Sequence, residues 1–170
     1  SADSEAISLT LMAPSKTFNI AGIVSSFAVI PNKEIRERYL AYLQPRELQQ
    51  GTLFAFTATR AAYEECDEWL RQMLDYVEEN VRFVDRFLRE HIPSIQAMIP
   101  EASFLVWLDC RQLRLSQREL VRLFVEKAGL ALNDGTMFGR EGEGFMRLNV
   151  GTSRRILEKA LNNLKNAVGQ

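Results

Sequence analysis

The stretch from Glu65 to His91 contains neither proline nor glycine, and it sets Trp69, Met73, Tyr76, Val77, Val81, Val84 and Leu88 on one face at helical spacing. Asp67, Arg71, Asp75, Glu79, Arg82 and Arg86 take much of the remaining surface, and Pro93 stops the run. A helix this long draws most of its stability from packing its apolar stripe against other elements. It divides the chain into residues 1–90, which hold the helix and everything before it, and residues 91–170, which hold a second set of elements.

Before the helix, residues 7–12 alternate apolar with small side chains and predict a short buried strand. Residues 25–30 predict a second strand that stops at Pro31. Asn32 is an N-cap with Glu34 and Glu37 in the early turns, so a helix runs to about Leu43 and ends near Pro45. Residues 53–63, rich in alanine and aromatic side chains, predict a buried helix despite Thr57 and Thr59. After Pro100 the pattern becomes α+β. It predicts a strand over 103–109, then a helix over 117–128 capped by Ser116 and closed by Gly129. A short strand over 130–132, a glycine-rich loop over 133–144, a strand over 145–150 and an amphipathic helix over 154–168 complete the chain. The fold class is α/β.

Size and charge narrow the function. A chain of 170 residues, 46% hydrophobic and 25% charged, is long enough for a real core and reads as soluble and globular. Its net charge of −1 favours neither nucleic acid nor an anionic membrane as partner. No stretch is long or apolar enough to span a bilayer, and residues 7–12 are too short for a signal core. Cys66 and Cys110 stand far apart in no metal or redox spacing, which predicts two buried free thiols in a reducing cytoplasm. His91 is the only histidine, too few for a Ser-His-Asp triad or a metal centre. At a helix end it predicts bonds to terminal carbonyls. Trp69 and Trp107 read as core residues.

Three features carry chemistry. The first is Ser15-Lys16-Thr17-Phe18-Asn19-Ile20-Ala21-Gly22, which follows the first strand. A lysine at the mouth of an apolar pocket loses its proton readily and forms Schiff bases, and neighbouring hydroxyls suit a phosphate. Together they point to a covalent aldehyde cofactor, pyridoxal 5′-phosphate being the obvious one. The plainer reading is a solvated lysine with Ser15 capping a turn. The second is Arg147, an arginine inside a strand flanked by Phe145, Leu148 and Val150. Such a cation needs an anionic partner, either a ligand carboxylate or a neighbouring Asp134 or Glu143. The third is the loop with Gly139, Gly142 and Gly144. It precedes a strand rather than joining a strand to a helix, so it reads as a flexible loop at a site's edge and not as a nucleotide cradle. Asn133-Asp134-Gly135 reads as a turn, and Arg154 and Arg155 as solvated arginines at a helix start.

Ser15 to Gly22 resembles the cofactor-lysine segment of the pyridoxal-phosphate-dependent (PLP) fold type I enzymes, and most of all the branch of MalY/PatB cystathionine β-lyases, the C-S lyases. Other segments follow in that branch's order: Pro31 to Tyr39, Ala61-Ala62-Tyr63 with Glu68-Trp69-Leu70, and Val106 to Arg111. Leu132 to Gly135 with Phe138-Gly139, and Gly144 to Asn149, complete the set. The resemblance covers essentially the whole chain. It implies the C-terminal part of a fold type I large domain, residues 1–90, followed by a small α+β domain, residues 91–170. It implies that Lys16 holds pyridoxal 5′-phosphate and removes the substrate's α-proton, that Ser15 faces the cofactor phosphate, and that Arg147 binds the substrate α-carboxylate. Ala13 stands where the family often has a second serine.

The implied reaction is β-elimination on cystathionine- or cysteine-like amino acids, giving a thiol, pyruvate and ammonia in a homodimeric enzyme. An aminotransferase shares the lysine and the arginine, and a non-enzymatic regulatory fragment is the other alternative. In the family an aspartate for the pyridine nitrogen, a stacking aromatic residue and a phosphate loop all come from upstream of the lysine. Here only Asp3 precedes Lys16, too near to be that aspartate. The chain therefore reads as the C-terminal half of such a protein, inactive without the N-terminal half.

Overall fold

The computed structural model of the chain describes residues 7–48 and 50–169, so Asp3 lies outside the described residues. The chain forms two compact units, residues 1–72 and 73–170, and the division falls inside the long helix.

In the first unit, β1 (Thr10–Met12) pairs antiparallel with β2 (Phe27–Val29), with Leu11 opposite Ala28. The strand expected over 7–12 begins only at Thr10 and is not buried: Leu11 is 66% exposed. A two-stranded ribbon standing alone buries little of either face. A helical turn, Pro14–Thr17, follows β1 at once. Helix α1 (Lys33–Leu43) starts where expected, with the Asn32 side chain accepting from the Ile35 amide at 3.1 Å. Helix α2 (Leu53–Glu65) is capped by Thr52, whose hydroxyl accepts from the Ala55 amide. Thr57 fits into it by donating its hydroxyl back to the Leu53 carbonyl at 2.9 Å. The helix expected to be buried hides only Ala55 and Ala62, while Leu53, Phe54 and Phe56 face outward.

The second unit is a four-stranded antiparallel sheet in the order β3 (Gln96–Met98), β4 (Leu105–Asp109), β6 (Phe145–Asn149), β5 (Asn133–Asp134). Along β4 and β6 burial alternates, so Val106, Leu108, Met146 and Leu148 point into the core. Three helices supply most of the rest of that core, with Ile92 and Ile95 added from the segment after the long helix. Helix α3 (Asp67–His91) gives Val81, Val84, Phe87 and Leu88. Helix α4 (Gln117–Arg122), continued by a wider turn over Leu123–Lys127, gives Leu120 and Phe124. Helix α5 (Arg154–Val168) gives Leu157, Leu161 and Leu164. Ser116 and Glu119 close a reciprocal capping box at the start of α4, which lowers the Glu119 pKa through the serine hydrogen bonds.

Five expectations change here. The strand placed over 130–132 and the turn placed at 133–135 are replaced by β5 at Asn133–Asp134. The Leu130 amide is still occupied in closing the helix exit, donating to the Phe124 carbonyl at 2.8 Å, so strand pairing starts later. Trp69 is 44% exposed rather than core. His91 packs edge-on against the Phe87 ring at 4.6 Å instead of bonding a terminal carbonyl. Arg154 is not a solvated arginine. Its Nε donates to the Asn80 side-chain oxygen at 2.9 Å, and its guanidinium lies 4.4 Å over the Phe83 ring. Asn80, fully buried on α3, also donates to the carbonyls of Val150 and Thr152, both at 2.9 Å. One amide thereby ties the end of β6 to the start of α5.

Both cysteines are free, Cys66 half-buried and Cys110 buried. Burial, with the neighbouring Asp109 charge, pushes the Cys110 thiol up to about 12. The sign follows from linkage: the folded state keeps this proton above the ordinary thiol value of 9.0, while the unfolded chain gives it up. Stability contributed by the buried neutral thiol is full below pH 9 and falls as pH rises toward 12. Urea titrations at pH 8 and pH 10.5 should show Cys110→Ala losing less stability over that interval than the parent, by about 1 kcal/mol or more. Equal losses would contradict the burial argument. No helix among the described residues is long and apolar enough to cross a membrane.

Candidate functional site

Lys16 sits on the helical turn Pro14–Thr17, directly after β1. The turn is short because Asn19 turns left-handed, with φ 54°, and the Ile20 amide closes back on the Ser15 carbonyl at 3.0 Å. Pro14 starts the turn and is buried. Phe18 pins its other end: it is buried, meets Tyr63 edge-on at 5.1 Å and stacks on Trp69 at 6.5 Å. Phe27 of β2 joins the same cluster, 5.9 Å from Tyr63. The lysine is thus carried on a rigid base while its own side chain stays exposed. Among the described residues its amine has no ion pair and no hydrogen bond. Ser15 is half-buried beside it.

Arg147 lies in the second unit, on the sheet face turned away from the core. Strand register puts Trp107 of β4 opposite it on one side and Asn133 of β5 opposite it on the other. One Nη2 hydrogen goes to the Asn133 side-chain oxygen at 3.0 Å. The guanidinium carbon lies over the Phe138 ring, 4.1 Å from its centroid, and that ring meets Trp107 edge-on at 5.4 Å. The Nε–H is buried and has no acceptor. A guanidinium with an unfilled donor and aromatic walls has the chemistry to take a planar anion.

Neither carboxylate expected from sequence as a partner takes that role. Asp134 accepts instead from the Gln117 side chain at 2.6 Å and from the Thr136 amide at 2.9 Å. Arg147 has no ion pair among the described residues. Asp109 is also engaged elsewhere: it is bridged by Arg111 at 2.7 Å, and that hydrogen bond lowers its pKa.

The glycine-rich loop is built as two tight turns, Gly135–Phe138 and Arg140–Gly142. Gln117 fastens it at both ends, donating to Asp134 and accepting from the Gly144 amide at 2.7 Å. Phe138 hangs from this loop over Arg147. Sequence alone does not single out Phe138, Asn133 and Trp107 as neighbours of Arg147, and it puts Trp107 in the core. The usable signal is the alternation on β4, which sets Trp107 on the opposite face from Val106 and Leu108. No cluster of His, Cys, Asp and Glu suited to a metal ion occurs among the described residues.

No protein-family model matches the chain. It is 41% identical to cystathionine beta-lyase PatB of Bacillus subtilis over 95% of its own length and 42% of PatB. It is 33% identical to protein MalY of Escherichia coli over 93% of its length and 41% of MalY. The crystal structure of cystalysin from Treponema denticola, which contains a pyridoxal 5′-phosphate cofactor, superposes with a TM-score of 0.91 at 31% identity. That match covers 99% of this chain and 43% of cystalysin. The chain thus spans less than half the length of these relatives and corresponds to their C-terminal part. Among the curated relatives the aminotransferases match less well, at 28% identity or below. The structure of a PLP-bound putative aminotransferase from Clostridium difficile superposes with a TM-score of 0.94 at 36% identity, over 99% of this chain and 43% of its own. The fold is the C-terminal portion of PLP fold type I, with α/β character.

Proposed function

From a chain that corresponds to the C-terminal part of the MalY/PatB cystathionine β-lyase branch of PLP fold type I, we propose that the complete polypeptide is a PLP-dependent carbon–sulfur lyase. Its substrates are cystathionine- or cysteine-like amino acids, and the net reaction with water yields a thiol, pyruvate and ammonia. The observation that carries this is Arg147, a strand arginine with a buried, unfilled Nε–H and no carboxylate partner among the described residues.

The residues present fit the cofactor. The Lys16 amine is exposed and unpaired, and the Ser15 hydroxyl beside it has no partner among the described residues. Pyridoxal phosphate, when bound, supplies an aldehyde carbon for an amine and a ring that accepts the electrons left when a bond at the substrate α-carbon breaks. Lys16 Nζ would hold that carbon, and the same amine would serve as the base for the substrate α-proton. Ser15 Oγ would donate to the phosphate. Arg147 grips the α-carboxylate through parallel N–H···O bonds, which fixes the α-carbon's orientation for proton removal. The aspartate for the pyridine nitrogen, the stacking aromatic group and the phosphate loop come from the part of the polypeptide preceding Lys16. The enzyme acts as a homodimer in the cytoplasm, a compartment that suits the two unpaired cysteines.

The test is product analysis with purified complete polypeptide. Cystathionine should give pyruvate, ammonia and homocysteine without any keto-acid acceptor. Turnover only in the presence of a keto acid would assign an aminotransferase instead. Arg147→Lys should raise KM for cystathionine by about 10–100-fold, because one point charge replaces a bidentate fork.

A further inference from the structure

We propose that Asn133 is the positioning residue for Arg147, a neutral acceptor that aims the guanidinium while leaving its charge free for a substrate carboxylate. The inference rests on the reading of Arg147 as the carboxylate site. Three observations carry it. Strand register sets Asn133 directly across from Arg147, so the contact is built into β5–β6 pairing. The Nη2–Oδ1 bond, at 3.0 Å, uses one of five N–H donors and leaves Nε without an acceptor. The Phe138 ring stands against the guanidinium, its centroid 4.1 Å from the guanidinium carbon, so movement toward that side is limited too.

Chemistry explains why an amide suits this place. Arginine has only donors, so the amide must turn its oxygen toward it. A carboxylate in the same position would hold the guanidinium equally well but would neutralise it and compete with the incoming anion. The adjacent residue is in fact a carboxylate, Asp134, and its oxygen is committed to Gln117 and Thr136 instead. The pairing register thus places the neutral neighbour, not the charged one, against the cation. An arginine without this tether samples several rotamers, and each binding event must then freeze them.

The probe is propionate, titrated at constant ionic strength into the complete polypeptide without cofactor, with the indole N–H resonance of Trp107, directly across from position 147 in the β4–β6 register, as readout. Propylamine, which lacks the carboxylate, serves as control. The parent should show a saturable shift with propionate and none with propylamine. Asn133→Leu should weaken propionate binding by about five- to tenfold. Asn133→Asp, which keeps an acceptor, should weaken it at least as much. With cofactor, both variants should raise KM for cystathionine by a similar factor and leave kcat within about twofold. A merely structural role predicts the reverse, with Asn133→Asp close to the parent. If both Asn133 variants bind propionate like the parent while Arg147→Lys does not, the positioning role is wrong and the carboxylate site stands. If Arg147→Lys also binds like the parent, the carboxylate site itself is wrong. Should Asn133→Leu fail to fold, the aspartate variant decides alone.

Discussion

If the complete polypeptide is the proposed lyase, Lys16→Ala should abolish measurable β-elimination from cystathionine, a fall of about 10³-fold or more. The size follows from two tasks resting on one amine. On the proposed reading Nζ would hold the cofactor's aldehyde carbon and would also accept the α-proton, and no second side chain on the same turn can do either. Pro14, Ser15 and Thr17 are its companions there, none of them a base at neutral pH. The fold should be untouched, because the Lys16 side chain is exposed and the turn is held by Phe18, Tyr63 and Trp69. The checks are pyruvate release, borohydride reduction followed by peptide mapping, and a thermal melt. The parent should carry the reduced cofactor label on the peptide containing Lys16, and the variant should carry none while melting at the same temperature. Retention of label and activity in the variant would refute the assignment.

Gly142→Ala destabilises the second unit by about 3 kcal/mol or more. A Cβ at Gly142 would stand 2.0 Å from the Gly135 carbonyl oxygen, and one at Gly135 would stand 2.2 Å from the Gly142 oxygen. Both obstacles are backbone, so no side chain can swing away, and the two turns of the loop must separate. Phe138 rides on the first of those turns, so its place over Arg147 is lost with it. The variant should therefore show a lower urea midpoint and also weaker propionate binding. Gly22→Ala is the control: nothing lies within 4 Å of a Cβ there, and the change should stay within about 0.5 kcal/mol. A parent-like midpoint for Gly142→Ala would mean that the close approach of the two backbones is not real.

These two positions differ in how visible they are beforehand. Lys16 announces itself by its neighbours in sequence, since a strand, a hydroxyl pair and a tight turn all lie within a few residues. The glycine loop gives no such notice. Spacing alone reads it as flexible, and only the packing of Gly135 on Gly142 makes it a fixed scaffold for Phe138. The same contrast runs through the fold. Asn32 and Ser116 cap the helices that follow them as the sequence suggests, because a cap bonds an amide three residues on; Thr52, which does the same for α2, is not singled out by the sequence. The final helix, Arg154–Val168, extends as far as its apolar period runs in the sequence. Exposure is where local pattern misleads: Trp69 and the aromatic residues of α2 are apolar, yet they lie open.

By itself the sequence determined the helices, the strand that carries Arg147, the lysine turn and the likeness to the C-terminal part of PLP fold type I. Each of these is written in contacts three or four residues apart or in an ordered set of segments. The tertiary structure alone decided which groups face Arg147, where Trp107 points and what holds Arg154. Those depend on strand register and on partners far along the chain: Asn133 is 14 residues from Arg147, and Asn80 is 74 from Arg154. A shift of register by one residue would reverse which side chains share a face, and no local propensity records it.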